Sequence, residues 1–316
     1  MLLEWVLALN RATVTVLSGG FPVAFKDFPA VTFTLILALS PLHETSAREQ
    51  KQQEYSLPNS WSHAEERAHR LEQNQNPETF RFLEKIHIQP GWHCLDVGAG
   101  AGSVALWLAD KAGPEGKVTA TDIDTRLLRG KKLPNLVVLK HDILSDPLTD
   151  QYDLIHMRDV LMHLQDKSQV VKKLASALKP GGILVVDDLT VLNDAEARFS
   201  SLDAPRDAWE KEARDYEQLT RSGVISFRSG WFNHELMRKA GLVDVQAEMT
   251  SRLTQGGDTP EGRLLYLSTL QLAPHQNRTS EENRLYQEIL AGYQSPDSYW
   301  WDHIKVITWG RKPLKP

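Results

Sequence analysis

The sequence predicts an α/β fold in which a mostly parallel sheet is covered by helices on both faces. After Gln89-Pro90-Gly91, short apolar runs alternate with helical segments. These runs are apolar throughout, which is typical of parallel strands that are buried on both sides. With 41% apolar and 24% charged residues among 316, the chain has the composition of an ordinary globular protein. Ligands of such sheets bind beyond the carboxyl ends of the strands.

Residues 1–50 differ from the rest of the chain, and we interpret them as an apolar N-terminal extension followed by a linker. The most apolar stretch, 30–39, is shorter than the roughly 20 residues that a membrane-spanning helix needs. A secretory signal would begin with basic residues, whereas Glu4 makes the start acidic. Cys94 is the single cysteine. We therefore expect a cytoplasmic protein with no stable membrane anchor.

Two helices are predicted before the first strand. Ser62 and Glu65 have the spacing of a capping box, and Asn76 precedes Pro77 as an N-cap would precede a proline at the first helical position.

Strands and helices then alternate along the chain. The predicted strands are residues 92–97, 118–121, 136–140, 152–157 and 183–186, with two later strands at 242–247 and 304–308. Residues 103–111 are predicted to be helical, and apolar side chains at Val170, Leu174 and Leu178 mark a further helix that ends at 179–182. The charged segment 194–219 is predicted as a helical insertion. Another helix is expected at 235–240, and one more after Thr279.

A glycine-rich turn follows the first predicted strand. Gly98, Ala99 and Gly100 lie there, and glycines allow the backbone to turn sharply and to approach a ligand closely. Ser103 stands where the dinucleotide-binding fingerprint has its third glycine. On its own, the motif is also compatible with a purely structural turn.

Two carboxylates strengthen the prediction of a nucleoside site. Asp122 ends the next strand, 22 residues beyond Gly100, where a carboxylate suits both ribose hydroxyls. Asp142 ends the strand after that, where it could accept a hydrogen bond from an adenine amine while Ile143 packs against the ring. Asp96 would be unfavourable beside a pyrophosphate but would suit a cationic ligand; alternatively it caps the turn.

The ordered set LDVGAGAGS, VTATDID, KHDIL, YDLIHMRDVLMHL and LKPGGILVVDD resembles the class I S-adenosylmethionine-dependent methyltransferases. The resemblance implies a Rossmann-like, mostly parallel sheet of seven strands within a domain at 51–316. That domain would consist of a helical lid (51–90), a cofactor-binding core (91–190) and a substrate cap (191–235).

The resemblance also implies the cofactor, S-adenosylmethionine, and the residues that hold it. The glycine loop would lie against the methionine part, with Arg158 beside it. Asp122 and Ile123 would hold the ribose side, and Asp142 with Ile143 would flank the adenine. Trp61 could cover the site or merely pack.

Catalytic and substrate residues are less sharply defined by the sequence. His163 follows the fourth strand and could act as a base, or only pack against the next helix. Asp187 and Asp188 end the fifth strand and could reach the substrate. Trp231 could form an apolar substrate wall, although core packing is the favoured alternative. The histidines are scattered without the spacing of metal ligands, so we expect no metal.

The leading hypothesis is a methyltransferase of secondary metabolism that acts on O, N or C of a small apolar metabolite. The alternatives are a non-methylating enzyme that binds the same cofactor, a binding protein without turnover, and an NAD(P)-dependent oxidoreductase; Asp96 and Ser103 argue against the last. The net charge of −5 gives no drive toward nucleic acid, so the expected partner is a small molecule. A homodimer is left open.

Overall fold

The computed structural model describes residues 56–191, 206–223, 225–273 and 278–314; the predicted extension at 1–50 and part of the predicted insertion lie outside them. The described strands are β1 (His93–Val97), β2 (Lys117–Asp122), β3 (Leu136–Lys140), β4 (Tyr152–Arg158), β5 (Leu178–Thr190), β6 (Val243–Thr250), β7 (Leu253–Gln255), β8 (Tyr299–Trp301) and β9 (Ile304–Arg311). The described helices are α1 (Ala64–Lys85), α2 (Ser103–Ala112), α3 (Lys167–Ala177), α4 (Arg206–Arg221), α5 (Ser229–Lys239), α6 (Pro260–Leu272) and α7 (Ser280–Gln294).

Seven strands form one sheet in the order β3-β2-β1-β4-β5-β9-β6, and β7 pairs with β8 separately. Strands β1 to β5 run parallel, while β9 is antiparallel to both of its neighbours. The α/β, Rossmann-like, mostly parallel sheet of seven strands is therefore confirmed. The carboxyl ends of β1, β2, β4 and β5 lie at one edge, where the start of β9 joins them.

The sheet has a hydrophobic core on each face, which explains why its strands are apolar throughout. On one face, Phe82 of α1 and Leu108 of α2 pack in the same cluster as Leu154 of β4. On the other, Leu174 of α3 and Met237 of α5 pack in the same cluster as Ile155. Leu154 and Ile155 are both fully buried, as expected when successive side chains of a central strand enter opposite cores.

The two predicted helices before the first strand are a single helix, so that prediction was wrong. Helix α1 runs through Pro77, and His63 stands at its N-cap position without a side-chain capping bond. Asn76 does not cap a second helix, because its Oδ1 accepts hydrogen bonds from Ser103 Oγ at 3.0 Å and Arg158 Nη1 at 2.9 Å. Thr79 is buried just beyond the proline. Tertiary contacts on both sides of Pro77 therefore outweigh its local tendency to break the helix.

Other departures concern the second half of the chain. Strand β5 is much longer than predicted because β9 pairs with it from Ile183 to Thr190. Helix α5 begins at Ser229 rather than Glu235, and helix α6 and the β7–β8 pair were not predicted. The capping box at Thr279 is present and begins α7. Helices α4 and α7 pack against one another around Trp209 and Tyr293.

The connections on either side of β3 contain a 3-10 turn (Thr125–Leu128) but no α-helix, all of 123–151 being described. The edge strand β3 consequently exposes Val137 and Leu139. Among the described residues, no helix is both long and apolar enough to cross a bilayer.

Candidate functional site

The glycine loop joins β1 to α2 at the carboxyl edge of the sheet. Gly98 and Gly100 have φ angles of +68° and +56°, which side chains rarely adopt. A Cβ atom at Gly98 would lie 2.2 Å from Val160 Cγ2, whereas one at Gly100 would meet nothing within 4 Å. The loop is thus packed against the chain after β4 at Gly98 and open at Gly100. An open backbone at this point suits a closely approaching ligand.

Asp122, at the end of β2, is fixed by backbone donors. Its Oδ2 accepts from Gly100 N–H at 3.0 Å, and its Oδ1 accepts from Asp124 N–H at 2.9 Å. Burial raises the pKa of Asp122, while these two hydrogen bonds oppose that rise. A carboxylate has about four lone-pair sites, so each oxygen retains capacity for a further donor. The position of the group therefore fits a vicinal diol such as that of a ribose.

The residues predicted to flank the adenine, Asp142 and Ile143, follow β3, and Ile123, predicted on the ribose side, follows β2. Asp142 Oδ1 accepts from Leu144 N–H at 2.9 Å. Ile143 is buried in the sheet core, whereas Ile123 is 45% exposed. Ile123 thus offers an apolar surface next to Asp122.

Asp96 lies beneath the loop and pairs inside the protein. Its Oδ1 is 2.8 Å from His156 Nδ1, and both side chains are buried. The two residues face each other in the β1–β4 register. His156 is thereby a buried core histidine that pairs through Nδ1, while its Nε2 has no hydrogen-bond partner among the described residues. Asp96 Oδ2 is buried without a hydrogen-bond partner.

Helix α1 contacts the glycine loop directly. Ser103 N–H, in the first turn of α2, donates to Glu72 Oε1 at 2.9 Å, and Ser103 Oγ donates to Asn76 Oδ1. A carboxylate at a helix N-terminus is electrostatically favourable. Arg158 Nη1 donates to the same Asn76 oxygen, so α1 connects the loop to the end of β4. Trp61 precedes α1, half-buried, and contacts His63 edge to face at 5.2 Å.

A buried polar cluster occupies the ends of β4 and β5 and the start of β9. Asp187 Oδ2 accepts from Thr79 Oγ1 at 2.8 Å and lies 3.2 Å from Lys305 Nζ. Lys305 Nζ also donates to Thr79 Oγ1 at 3.0 Å. Burial lowers the pKa of Lys305, and Asp187 acts in the opposite direction. Helix α1 therefore also closes over this cluster.

Two further carboxyl groups of the cluster lie side by side at the strand ends. Asp159 follows β4 with a φ of +53°, and burial beside Asp187 raises its pKa to about 6. Asp188 of β5 is fully buried, and its Oδ2 accepts from Ser229 Oγ at 2.8 Å and Asn233 Nδ2 at 3.2 Å. Burial, with Asp159 nearby, raises the pKa of Asp188 to about 7.

His163 lies in a short 3-10 turn (Leu161–His163) after β4. Burial, together with the nearby positive charges of Arg67 and Lys167, lowers its pKa to about 3. The imidazole is therefore neutral at physiological pH and a weak proton acceptor.

The structure does not bring Trp231 to the strand ends. Ser229 and Asn233, one turn apart on α5, face Asp188, so Trp231 between them faces away and is 38% exposed. The favoured alternative of core packing for Trp231 was therefore wrong, and the neighbouring Phe232 is 55% exposed as well.

An apolar cluster lies beside the polar one. Tyr216 of α4 packs against Phe227 at 4.6 Å and against His303 at 5.4 Å between ring centroids. Met162 and Val191 belong to the same cluster.

Sequence reasoning missed Asp159, Lys305 and Thr79. Asp159 directly follows the predicted fourth strand, and Lys305 interrupts an otherwise apolar strand; both are detectable signals. Thr79 could not be found, because its role depends on α1 continuing through Pro77. Cys94 of β1 is buried, and burial raises the pKa of its thiol to about 12. The described residues contain no group of three potential metal ligands.

Comparisons with known proteins agree with this geometry. A family model described as a methyltransferase domain matches residues 61–247, more than half of the chain. Phosphoethanolamine N-methyltransferase 1 from Zea mays is 30% identical over 118 residues, which are 35% of this chain and 23% of that protein. Demethylmenaquinone methyltransferase from Lactobacillus johnsonii is 32% identical over 117 residues, which are 34% of this chain and 48% of that protein.

The matched segment thus spans between about a quarter and about a half of these relatives. The solved structure of a cyclopropane-fatty-acyl-phospholipid synthase-like protein from Lactobacillus casei has a TM-score of 0.52 at 14% identity. It covers 79% of this chain and 94% of that one, and it shows a shared fold. Because the family model covers most of the sheet and the glycine loop, the chain belongs to the class I S-adenosylmethionine-dependent methyltransferases.

Proposed function

We propose that this protein transfers a methyl group from S-adenosylmethionine to O, N or C of a small-molecule acceptor. The observation that carries the proposal is the pairing of Asp122 with Gly100 beside an open backbone. The cofactor, when bound, supplies an electrophilic methyl group on a sulfonium. The chain contributes mainly position and exclusion of water.

In this proposal each predicted cofactor residue keeps its role. Gly98, Ala99 and Gly100 supply the backbone surface, and Arg158 supports it through Asn76. Asp122 binds the ribose hydroxyls. Around the adenine and ribose, Asp142, Ile123 and Ile143 provide one polar and two apolar contacts. Asp96, paired with His156, adds negative charge below the cationic ligand.

The acceptor site lies where the polar and apolar clusters meet. Asp187 and Asp188 belong to the first, and Tyr216 and Phe227 to the second. An acceptor with an apolar body suits this combination, and such metabolites are common in secondary metabolism. The role of His163 as a base for the acceptor remains a prediction, and so does the role of Trp61 in covering the site.

Calorimetric titration tests the proposal. Wild-type protein should bind S-adenosylmethionine and its demethylated product, and Asp122→Ala should weaken both at least tenfold because the ribose contacts are lost. Asp110→Ala, an exposed position on α2, is the matched control and should bind normally. Absence of binding by the wild type would refute the proposal.

Mass spectrometry with candidate acceptors then distinguishes methyl transfer from cofactor binding alone. A product heavier by one CH₂ group shows transfer. Rearranged product without added mass would instead favour a non-methylating enzyme.

We further propose a cytoplasmic location and a homodimer. The buried free Cys94 supports the first. The exposed Val137 and Leu139 on edge strand β3 support the second. Sedimentation of the wild type and of a Val137→Lys variant would test the dimer.

A further inference from the structure

Asp159 is held in an unfavourable backbone conformation at the junction of the glycine loop and the acceptor site. Its φ is +53°, a region that aspartate tolerates at some cost. The next residue, Val160, fills the space beside Gly98. Asp159 N–H donates to Asp187 O at 2.9 Å, which fixes the turn against β5. The chain therefore places the backbone of Asp159 directly before the residue that packs against the glycine loop, at a conformational cost.

The carboxyl group of Asp159 lacks well-formed partners among the described residues. Both of its oxygens are buried without a hydrogen bond of good geometry, although Gln75 lies near enough to lower the pKa of the group. Leaving a buried acceptor unsatisfied is unfavourable, which points to a donor that arrives with a ligand.

Asp188 stands beside it. Arg158 and Asp187 are register partners in the β4–β5 ladder, so Asp159 and Asp188 occupy the next positions along the two strands. Asp188 Oδ2 is satisfied by α5, whereas its Oδ1 is buried without a partner. Lys305 pairs with Asp187 rather than with either of them.

We propose that Asp159 accepts the proton released by the methyl acceptor, that Asp188 is a positioning residue sharing one negative charge with it, and that the acceptor is an amine or a hydroxyl. This inference rests on the proposed function and narrows it to acceptors that carry an exchangeable proton.

The step balances as follows. The lone pair of the acceptor nitrogen or oxygen forms the bond to the methyl carbon, and the electron pair of the broken carbon–sulfur bond stays on sulfur. The acceptor's proton moves to Asp159 and leaves to water after the product departs.

The charges around the pair determine how readily it takes that proton. Arg158 of β4, Asp187 of β5 and Lys305 of β9 face Asp159, and Lys167 adds positive charge near Asp188. Burial raises both pKa values toward neutrality, where a base is most effective. The charge of Asp187 adds to the rise in the pKa of Asp159, and the charge of Asp159 adds to the rise in the pKa of Asp188.

Carbon-13 NMR of protein labelled at the aspartate side-chain carboxyl carbon tests this directly between pH 4 and 9. In the wild type, two resonances should titrate well above the remainder. Asp188→Asn should remove the Asp188 resonance and lower the titration midpoint of Asp159 by at least half a pH unit. Asp159→Asn should remove the Asp159 resonance and lower the midpoint of Asp188. Asparagine tolerates positive φ, so Asp159→Asn preserves the turn. Asp110→Asn should leave both midpoints unchanged.

Ser229→Ala provides a second variant that keeps both carboxyl groups. Loss of its hydrogen bond should raise the Asp188 midpoint, opposite to the effect of Asp159→Asn. If all wild-type aspartates titrate in the ordinary carboxyl range, or if removing one of the pair leaves the other unshifted, the inference is wrong.

Cofactor titration separates this failure from that of the proposed function. Asp159→Asn and Asp188→Asn should still bind S-adenosylmethionine, as the wild type should. Normal binding with ordinary aspartate titration overturns the proton-transfer role alone.

Discussion

Glu72 of helix α1 accepts a 2.9 Å hydrogen bond from Ser103 N–H, in the first turn of the helix that follows the glycine loop. One helix thereby stabilises the start of another, at the point where a cofactor would bind. The contact joins residues 31 positions apart in the chain.

Glu72→Ala should lower the free energy of unfolding by about 1 kcal/mol, because it leaves a helix N-terminal donor unsatisfied. Glu72→Gln should recover part of the loss, since its amide oxygen still accepts the bond. Denaturant unfolding measures both. Glu65→Ala, exposed in the first turn of α1, is the control and should change stability little.

The two glycines of the loop should respond differently to alanine. Gly98→Ala should destabilise the protein by roughly 3 kcal/mol or more, because its Cβ would overlap Val160 and its φ is positive. Gly100→Ala should cost only about 1 kcal/mol for the backbone conformation but should abolish cofactor binding. The double variant Gly98→Ala/Val160→Ala should regain stability relative to Gly98→Ala; no regain would show that the steric explanation is incorrect.

Asp188 should make the wild type less stable as pH rises. Its pKa is raised to about 7 in the folded state, from 3.8. The folded state therefore binds the proton more tightly, and its stabilising effect is full below pH 4 and lost as pH rises through 7. In Asp188→Asn this contribution disappears while that of Asp159, whose pKa is raised to about 6, remains. Unfolding free energies measured from pH 5 to 8 should therefore improve relative to wild type by up to about 3 kcal/mol. Asp110→Asn should follow the wild type at every pH.

Pro77→Ala should stabilise the protein by about 1 to 3 kcal/mol. The substitution restores a backbone N–H inside α1 and removes the clash of the proline ring with the preceding turn. Thermal unfolding measures the change, and Asn76→Ala is informative beside it, because it should destabilise by removing the bonds from Ser103 and Arg158. A destabilised Pro77→Ala would show that the proline does not weaken α1.

Most of the fold could be predicted from the sequence, because buried strands and glycine turns are recognisable from local sequence patterns. The proximity of Asp122 to Gly100 could be predicted from their spacing, because Gly100 follows β1 and Asp122 ends β2, and these are neighbouring strands of one parallel sheet. The acceptor side could not be predicted in the same way. Lys305 lies 118 residues beyond Asp187 in the chain and contacts it because β9 pairs antiparallel with β5. The local sequence around β9 does not indicate that pairing. The position of Thr79 depends on α1 continuing through Pro77, whereas a proline considered locally predicts that the helix breaks there.

Helix α1 sets a length constraint on this part of the chain. Glu72 contacts the glycine loop, while Thr79, about two turns later, contacts Lys305 and Asp187. Each added or deleted residue between them would rotate one set of contacts by about 100° relative to the other. The segment 72–79 should therefore reject insertions and deletions, and libraries that redesign the acceptor preference should leave its length unaltered.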